Sequence, residues 1–293
     1  MINIGNDEEK LREAYQDQFP DGTLRMRLRE YSYFDKEEPV RIQWLYDDDA
    51  ELFALCALVD NLRDYGCTSI TLEMPYIPHA RMDKIYDEDD IFTLKSFAKI
   101  INGLQFDKVI VNDAHSDVAK SLIDRLFNRN CWKQVTDSIA KIPDVNPEEV
   151  VLCFADEGAQ KRYGDDFRSN KKCFVVKKRH LGNDRVTSVR LELDTDVTGK
   201  TVLIVDDICD YGTNFCEAAK TLLDAGAKEV YLYVTHCEDN ILKGNLLKSG
   251  LIKKVFTTNS ILHGEHEGIE IIDHFVPERK KLERILYSAE KFS

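Results

Sequence analysis

Along this chain short apolar runs alternate with amphipathic stretches, and each apolar run stops at a cluster of polar residues. The clearest run, residues 202–205 (Val-Leu-Ile-Val), is β-branched or leucine throughout, the pattern of a strand covered on both faces in a parallel sheet. Asp206 and Asp207 follow it directly, and a helix is expected to begin near Phe215. Upstream, residues 49–65 carry apolar side chains at helical spacing and end at Gly66. Residues 69–74 read as a strand entering a loop over 75–90, and residues 92–104 as the next helix. A buried strand over 108–111 stops at Asn112-Asp113-Ala114-His115, and 118–127 is expected to form the helix after it. The result is strand, loop and helix in repetition, with polar residues gathered where strands end.

The same rhythm returns after residues 141–147, a stretch with Pro143 and Pro147 that reads as a linker. Strands are expected over 150–154, stopping at Asp156-Glu157-Gly158, then over 173–176, 202–205 and 229–235. The fold class that follows is α/β, with two domains of similar build, parallel sheets flanked by helices. Their expected extents are 1–140 and 141–276. A terminal segment, 277–293, carries a charged amphipathic helix over 278–292 suited to closing either domain.

Composition narrows the function classes. At 293 residues the chain has room for two ordinary domains, and 43% hydrophobic with 32% charged residues describes a soluble globular protein. No apolar run approaches the roughly 20 residues needed to span a membrane. The acidic start has no signal-peptide core, so a cytoplasmic location is expected. Eight cysteines are scattered without a C-x-x-C pair, mostly inside apolar runs, which points to buried free thiols rather than disulfides or zinc ligands. A net charge of −13 opposes nonspecific binding to nucleic acid or anionic lipid, and neither is an expected partner. It leaves room for a local basic site that takes a polyphosphate.

The chemistry concentrates at the end of the 202–205 run. The carboxylates of Asp206 and Asp207 are placed to accept hydrogen bonds from vicinal sugar hydroxyls, or to take part in binding Mg2+ directly or through water. Residues 210–214 lead into a helix whose free N–H groups and dipole favour an anion. Strand, acid pair, loop and helix together read as a holder for a phosphorylated ribose; an acidic strand end followed by an ordinary turn is the plainer alternative. His115, in an Asp-x-His setting at a strand end, is a candidate metal ligand, the alternative being a hydrogen-bonded structural residue. Lys177-Lys178-Arg179-His180 directly follows a buried strand, where a solvated basic patch is the alternative to a catalytic role.

Together these landmarks resemble the ribose-phosphate diphosphokinases, or phosphoribosyl pyrophosphate (PRPP) synthetases, over nearly the whole chain. The resemblance is carried by Phe19-Pro20-Asp21-Gly22, by residues 75–84, by Asp113-Ala114-His115-Ser116, by residues 156–162, by Lys178-Arg179 and by residues 201–212. Ala225-Gly226-Ala227 and Thr235-His236 follow in the same order. It implies two PRPP-transferase-like (type I phosphoribosyltransferase) domains, and an enzyme that passes the β,γ-diphosphoryl group of ATP to the anomeric hydroxyl of ribose and leaves AMP. Mg2+ is the implied cofactor. Carried over by motif, Phe19, Asp21, Arg81, Met82, Asp83, Lys84 and His115 fall on the ATP side, and His115 with Asp156 helps hold Mg2+. Lys178 and Arg179 would stabilise the transferring group, while Asp206, Asp207, Asp210, Tyr211, Gly212, Thr213 and Asn214 would hold the ribose and its phosphate. Such chemistry rests on alignment and charge neutralisation. The Phe-x-Asp-Gly hairpin resembles one that crosses to a neighbouring subunit and stacks on adenine, which implies a homo-oligomer, dimer or hexamer.

The departures from that family cluster around specificity. The loop after the acid pair typically reads Asp-Ser/Thr-Ala/Gly-Gly-Thr; here it is Asp210-Tyr211-Gly212-Thr213-Asn214. A monophosphate dianion needs several short donors converging on its terminal oxygens, whereas a phosphate ester carries a substituent that needs room and something to stack on. Tyr211 suits the second, so the chain resembles the branch that acts on ADP-ribose for NAD synthesis. Ribose 5-phosphate is the alternative acceptor. Met82, Thr23 and His180 stand where the family usually has glutamine, glutamate and arginine. Residues 87–90 are acidic where the family carries basic residues for phosphate regulation, so no activation by inorganic phosphate is expected. A non-catalytic regulatory homologue and a phosphoribosyltransferase that consumes PRPP are the competing classes.

Overall fold

The computed structural model describes residues 1–6, 11–28, 35–85, 87–155, 157–164, 171–178, 188–192, 196–273 and 275. They divide into two compact units, one over Met1–Arg129 and a second from Asn130 onward. Each has its own sheet, and the architecture is α/β, with mainly parallel sheets and helices in both units.

In the first unit four parallel strands, β5 (Val40–Trp44), β6 (Ile70–Glu73), β7 (Lys108–Asn112) and β8 (Leu126–Arg129), lie side by side in that order. β1 (Ile2–Gly5) joins β5 antiparallel and β2 (Arg12–Glu13) closes that edge. Helix α1 (Ala50–Tyr65) turns Ala54, Leu55, Leu58, Val59 and Leu62 inward at helical spacing, and stops where Gly66 takes φ +101° and donates to Arg63 O. With α2 (Thr93–Gly103) and α3 (Asp117–Leu122) it buries the core formed with Ile42, Trp44, Ile70, Leu72, Val109 and Val111. A separate hairpin, β3 (Tyr15–Gln18) and β4 (Leu24–Arg27), carries Phe19 at its tip.

The helix expected over 118–127 is shorter than its apolar spacing suggests. It ends at Leu122, Ile123 is extended, Arg125 takes φ +52°, and Phe127 lies in β8. Pairing of Val109 with Leu126 and Ile110 with Phe127 captures residues whose spacing also fits a helix.

The second unit holds seven strands in the order β11 (Ser188–Glu192), β10 (Lys172–Lys178), β9 (Val151–Phe154), β12 (Thr201–Cys209), β13 (Glu229–Cys237), β14 (Val255–Thr258) and β15 (Ile269–Asp273). All pair in parallel except β11. Helices α4 (Trp132–Ala140), α5 (Glu157–Tyr163) and α6 (Thr213–Asp224) belong to this unit. Residues 130–140, expected in the first domain, pack here instead: Cys131, Val135 and Ile139 share a core with Val150, Leu152, Phe154, Leu203 and Tyr231. The segment 278–292 lies outside the described residues.

Residues 202–205 are fully buried, as their composition requires, yet the strand does not end at the acids. β12 stays paired with β13 as far as Cys209 and Cys237, so Asp206 and Asp207 are strand residues with 7% and 1% exposure. Ionised side chains persist at such depth only with a partner.

Candidate active site

That partner comes from α5. Arg162 Nη2 donates to Asp206 Oδ1 at 2.7 Å and to Asp207 Oδ1 at 2.5 Å, and the Asp207 backbone N–H donates to Asp206 Oδ1 at 2.9 Å. Two carboxylates are thereby gathered under one guanidinium at the carboxyl end of a central strand, where open α/β sheets bind ligands.

Beyond Cys209 the loop is tied down on its far side. Asn240, in a short 3-10 turn over Asp239–Leu242, donates from Nδ2 to Asp210 Oδ1 at 2.9 Å. Gly212 takes φ +78°, and a Cβ there would sit 2.3 Å from Leu246 Cδ1; a Cβ on Gly244 would sit 2.3 Å from the Tyr211 carbonyl oxygen. The two loops are pressed together at glycine-only distances. Gly212 opens α6, whose first turn carries no acidic residue and has no side-chain cap at its start, an arrangement that favours an incoming anion. Thr213 and Asn214 are exposed on that first turn, and the Tyr211 side chain is 46% exposed. Thus Asp206, Asp207, Asp210, Tyr211, Gly212, Thr213 and Asn214 follow one another around the end of β12, with Asp206, Asp207 and Gly212 buried and Tyr211, Thr213 and Asn214 exposed.

The neighbouring strand ends are polar and buried. His236 Nδ1 lies 2.8 Å from Ser260 Oγ, and Thr258 Oγ1 donates to Thr235 O at 2.7 Å, so the ends of β13 and β14 are fastened by side chains rather than left to water.

Within the first unit, the ATP-side candidates occupy three places. Phe19 is 49% exposed at the hairpin tip, with the Arg25 guanidinium carbon 5.7 Å from its ring centroid. Asp21 accepts from Thr23 Oγ1 at 2.7 Å and Thr23 N at 3.0 Å, and these hydrogen bonds, the hydroxyl's foremost, hold its carboxyl below the usual range. Arg81, Met82, Asp83 and Lys84 follow a turn in which His79 takes φ +63° and Met82 N donates to His79 O. His79 Nε2 lies 3.0 Å from Asp49 Oδ1, the oxygen that also accepts from Tyr46 OH at 3.0 Å. Burial first, then Asp49, pushes the Tyr46 phenol far up. Arg81 and Lys84 are exposed, while Met82 and Asp83 are half-buried. His115 is half-buried between the end of β7 and Ser116, the N-cap of α3.

Lys178 is the last residue of β10, while Asp156 and Arg179 lie outside the described residues. Among the described residues no group of three His, Cys, Asp or Glu side chains is placed to hold a metal ion, and Asp156, expected to hold Mg2+ with His115, is not one of them. Arg162 and Asn240 are the site residues that periodicity alone did not single out. Arg162 closes the 156–162 motif that carries part of the resemblance, without a role assigned to it there, on the helix after β9, the strand beside β12.

Comparison with known proteins adds a second line. The family model of the phosphoribosyl synthetase-associated domain matches residues 183–272. The ribose-phosphate pyrophosphokinase of Pyrococcus abyssi is 28% identical over 263 residues, covering 88% of this chain and 87% of its own. That of Gloeobacter violaceus is 30% identical over 220 residues, covering 72% of this chain and 63% of its own. Over most of its length the chain is thus similar to ribose-phosphate pyrophosphokinases. These homologues are diphosphotransferases. The fold agrees with the crystal structure of phosphoribosylpyrophosphate synthetase from Mycobacterium smegmatis, at TM-score 0.71 and 22% identity over 88% of this chain and 85% of that one. Relative to such pyrophosphokinases, the acid pair and the loop onto α6 fall inside the matched domain.

Proposed function

We propose that the chain transfers the β,γ-diphosphate of MgATP to the anomeric hydroxyl of a 5-phosphoryl ribose and releases AMP, with ADP-ribose the favoured acceptor. The anomeric oxygen attacks the β-phosphorus, the bond from the β-phosphorus to the α-phosphate oxygen breaks, AMP leaves with that oxygen, and the hydroxyl proton passes to solvent. The observation that carries this reading is the succession of acid pair, loop and uncapped helix start at the end of β12. Asp206 and Asp207 accept the vicinal hydroxyls, and the N-terminus of α6 takes the phosphate attached to the sugar. Lys178 and Arg179 are assigned to the transferring group, and Arg81, Lys84 and His115, with Phe19, Asp21, Met82 and Asp83, to ATP. Mg2+ enters with the nucleotide, with His115 and Asp156 its assigned protein contacts.

The half-exposed Tyr211 supports ADP-ribose. A phenol at this position offers a stacking face beside the phosphate and fewer convergent hydroxyl donors than a terminal monophosphate requires. Ribose 5-phosphate is the runner-up. The resemblance of the Phe19-Pro20-Asp21-Gly22 hairpin to one that completes a neighbouring subunit's site supports assembly as a homo-oligomer, which light scattering on the purified protein would test. The deciding experiment is an AMP-release assay with MgATP and each acceptor offered separately, with the sugar product identified by mass. A diphosphate adduct of ADP-ribose is the expected product. PRPP alone would shift the assignment to the runner-up, and no acceptor-dependent AMP would end the enzymatic reading.

A further inference from the structure

Side chains of consecutive strand residues point to opposite faces of a sheet. Asp206 and Asp207 nevertheless bring one carboxylate oxygen each to the same atom, Arg162 Nη2, at 2.7 and 2.5 Å. That nitrogen carries two hydrogens, one for each acid. We infer that Arg162 is a positioning residue for the acceptor sugar: it holds the two carboxylates together as a preformed acceptor pair for vicinal hydroxyls. The inference rests on the proposed assignment of this acid pair to ribose.

The guanidinium is itself placed by packed structure. Arg162 lies in the last turn of α5, its guanidinium carbon 5.5 Å from the ring centroid of Tyr163. Tyr163 is 2% exposed and stacks on Phe154 at 6.1 Å between centroids, and Phe154 in β9 pairs with Val205, the residue just before the acids. The chain of contacts therefore runs from the acid pair through α5 and back to the strand that carries it. Removing the cation leaves two adjacent buried anions that repel and swing apart. Lysine preserves the charge but not the planar, stacked fork, so it should restore only part of the arrangement.

The test measures equilibrium binding of ribose 5-phosphate, ADP-ribose and MgATP by calorimetry to the full chain and to R162Q and R162K, with AMP release recorded in parallel. R162Q is expected to weaken acceptor binding by about tenfold or more, the loss typical of a charge-assisted hydrogen bond, with MgATP affinity unchanged and R162K in between. Acceptor affinity at the wild-type level in R162Q would overturn the inference, as would equal losses for acceptor and MgATP. Should R162Q fail to fold, the selective loss is read from R162K. A wild-type chain that binds acceptor without releasing AMP would remove the diphosphate-transfer reading alone, leaving the role of Arg162 to the affinities. One that binds no acceptor would overturn the inference.

Discussion

Gly212 opens α6 at φ +78°, and a methyl group on it would lie 2.3 Å from Leu246 Cδ1. Gly212→Ala therefore combines a left-handed backbone penalty with overpacking, about 2–4 kcal/mol in all. Urea unfolding should report that loss, and acceptor KM should rise because the shift falls on the loop between the acids and the helix. Tyr211 is different, since its half-exposed side chain contributes little to the core. Tyr211→Ser should leave stability within about 0.5 kcal/mol while moving the ratio of kcat/KM toward ribose 5-phosphate and away from ADP-ribose. An unchanged ratio would take Tyr211 out of acceptor choice. The burial of the 202–205 run was legible from residue order, because an uninterrupted β-branched and leucine run needs cover on both faces. The role of Arg162 was not, although the residue closes the 156–162 motif, since its pairing with Asp206 joins residues 44 positions apart.

At the scale of elements, β15 at one edge of its sheet is fastened by Glu270, which is bound by Lys141 at the end of α4 and by Lys254 Nζ at 2.9 Å. The Lys141 hydrogen bond, supported by that from Lys254 and opposed by partial burial, holds the Glu270 carboxyl below its ordinary range. A carboxyl depressed by folding stabilises fully above its unfolded pKa and loses that contribution as the pH falls through the folded value. Glu270→Gln should accordingly cost about 0.5–1 kcal/mol near neutrality and nothing at pH values below both, measured as the gap between wild-type and mutant unfolding curves across the acid range. Elements with one unambiguous period, such as α1 and the 202–205 run, were readable in advance. β8 was hidden because Leu126 and Phe127 satisfy a helical period as well as a strand, and only pairing with β7 decides between them. α4 sits before the proline-containing linker in sequence, yet its apolar face matches the core beyond it. Local pattern cannot announce such a match.

At the scale of the whole molecule, three apolar cores, one in the first unit and two in the second, are built without a covalent cross-link, for all eight cysteines are free thiols. Cys153 faces Cys173 across β9 and β10, and Cys209 faces Cys237 across β12 and β13, all four buried. The hydrogen bond that each donates to its strand neighbour, together with burial, raises the Cys153 and Cys237 thiols well above the ordinary value, so they react slowly. Thiol titration should find eight groups in denaturant and few fast ones in the native protein, with thermal stability unchanged by reductant. The charge of the molecule bears on regulation in the same way that burial bears on reactivity. Residues 87–90 form an exposed acidic turn closed on itself, with Asp87 N donating to Asp90 Oδ2 at 3.1 Å and Asp90 N to Asp87 O at 3.1 Å. Such a turn repels free phosphate, and the net charge of −13 offers no general attraction to offset it. Steady-state AMP release should therefore be at its full rate without added phosphate. Phosphate should then act only as a weak inhibitor competing with the acceptor at the α6 N-terminus, which a rise in acceptor KM at constant kcat would reveal; a strong phosphate requirement would mean that an anion site exists elsewhere in the chain.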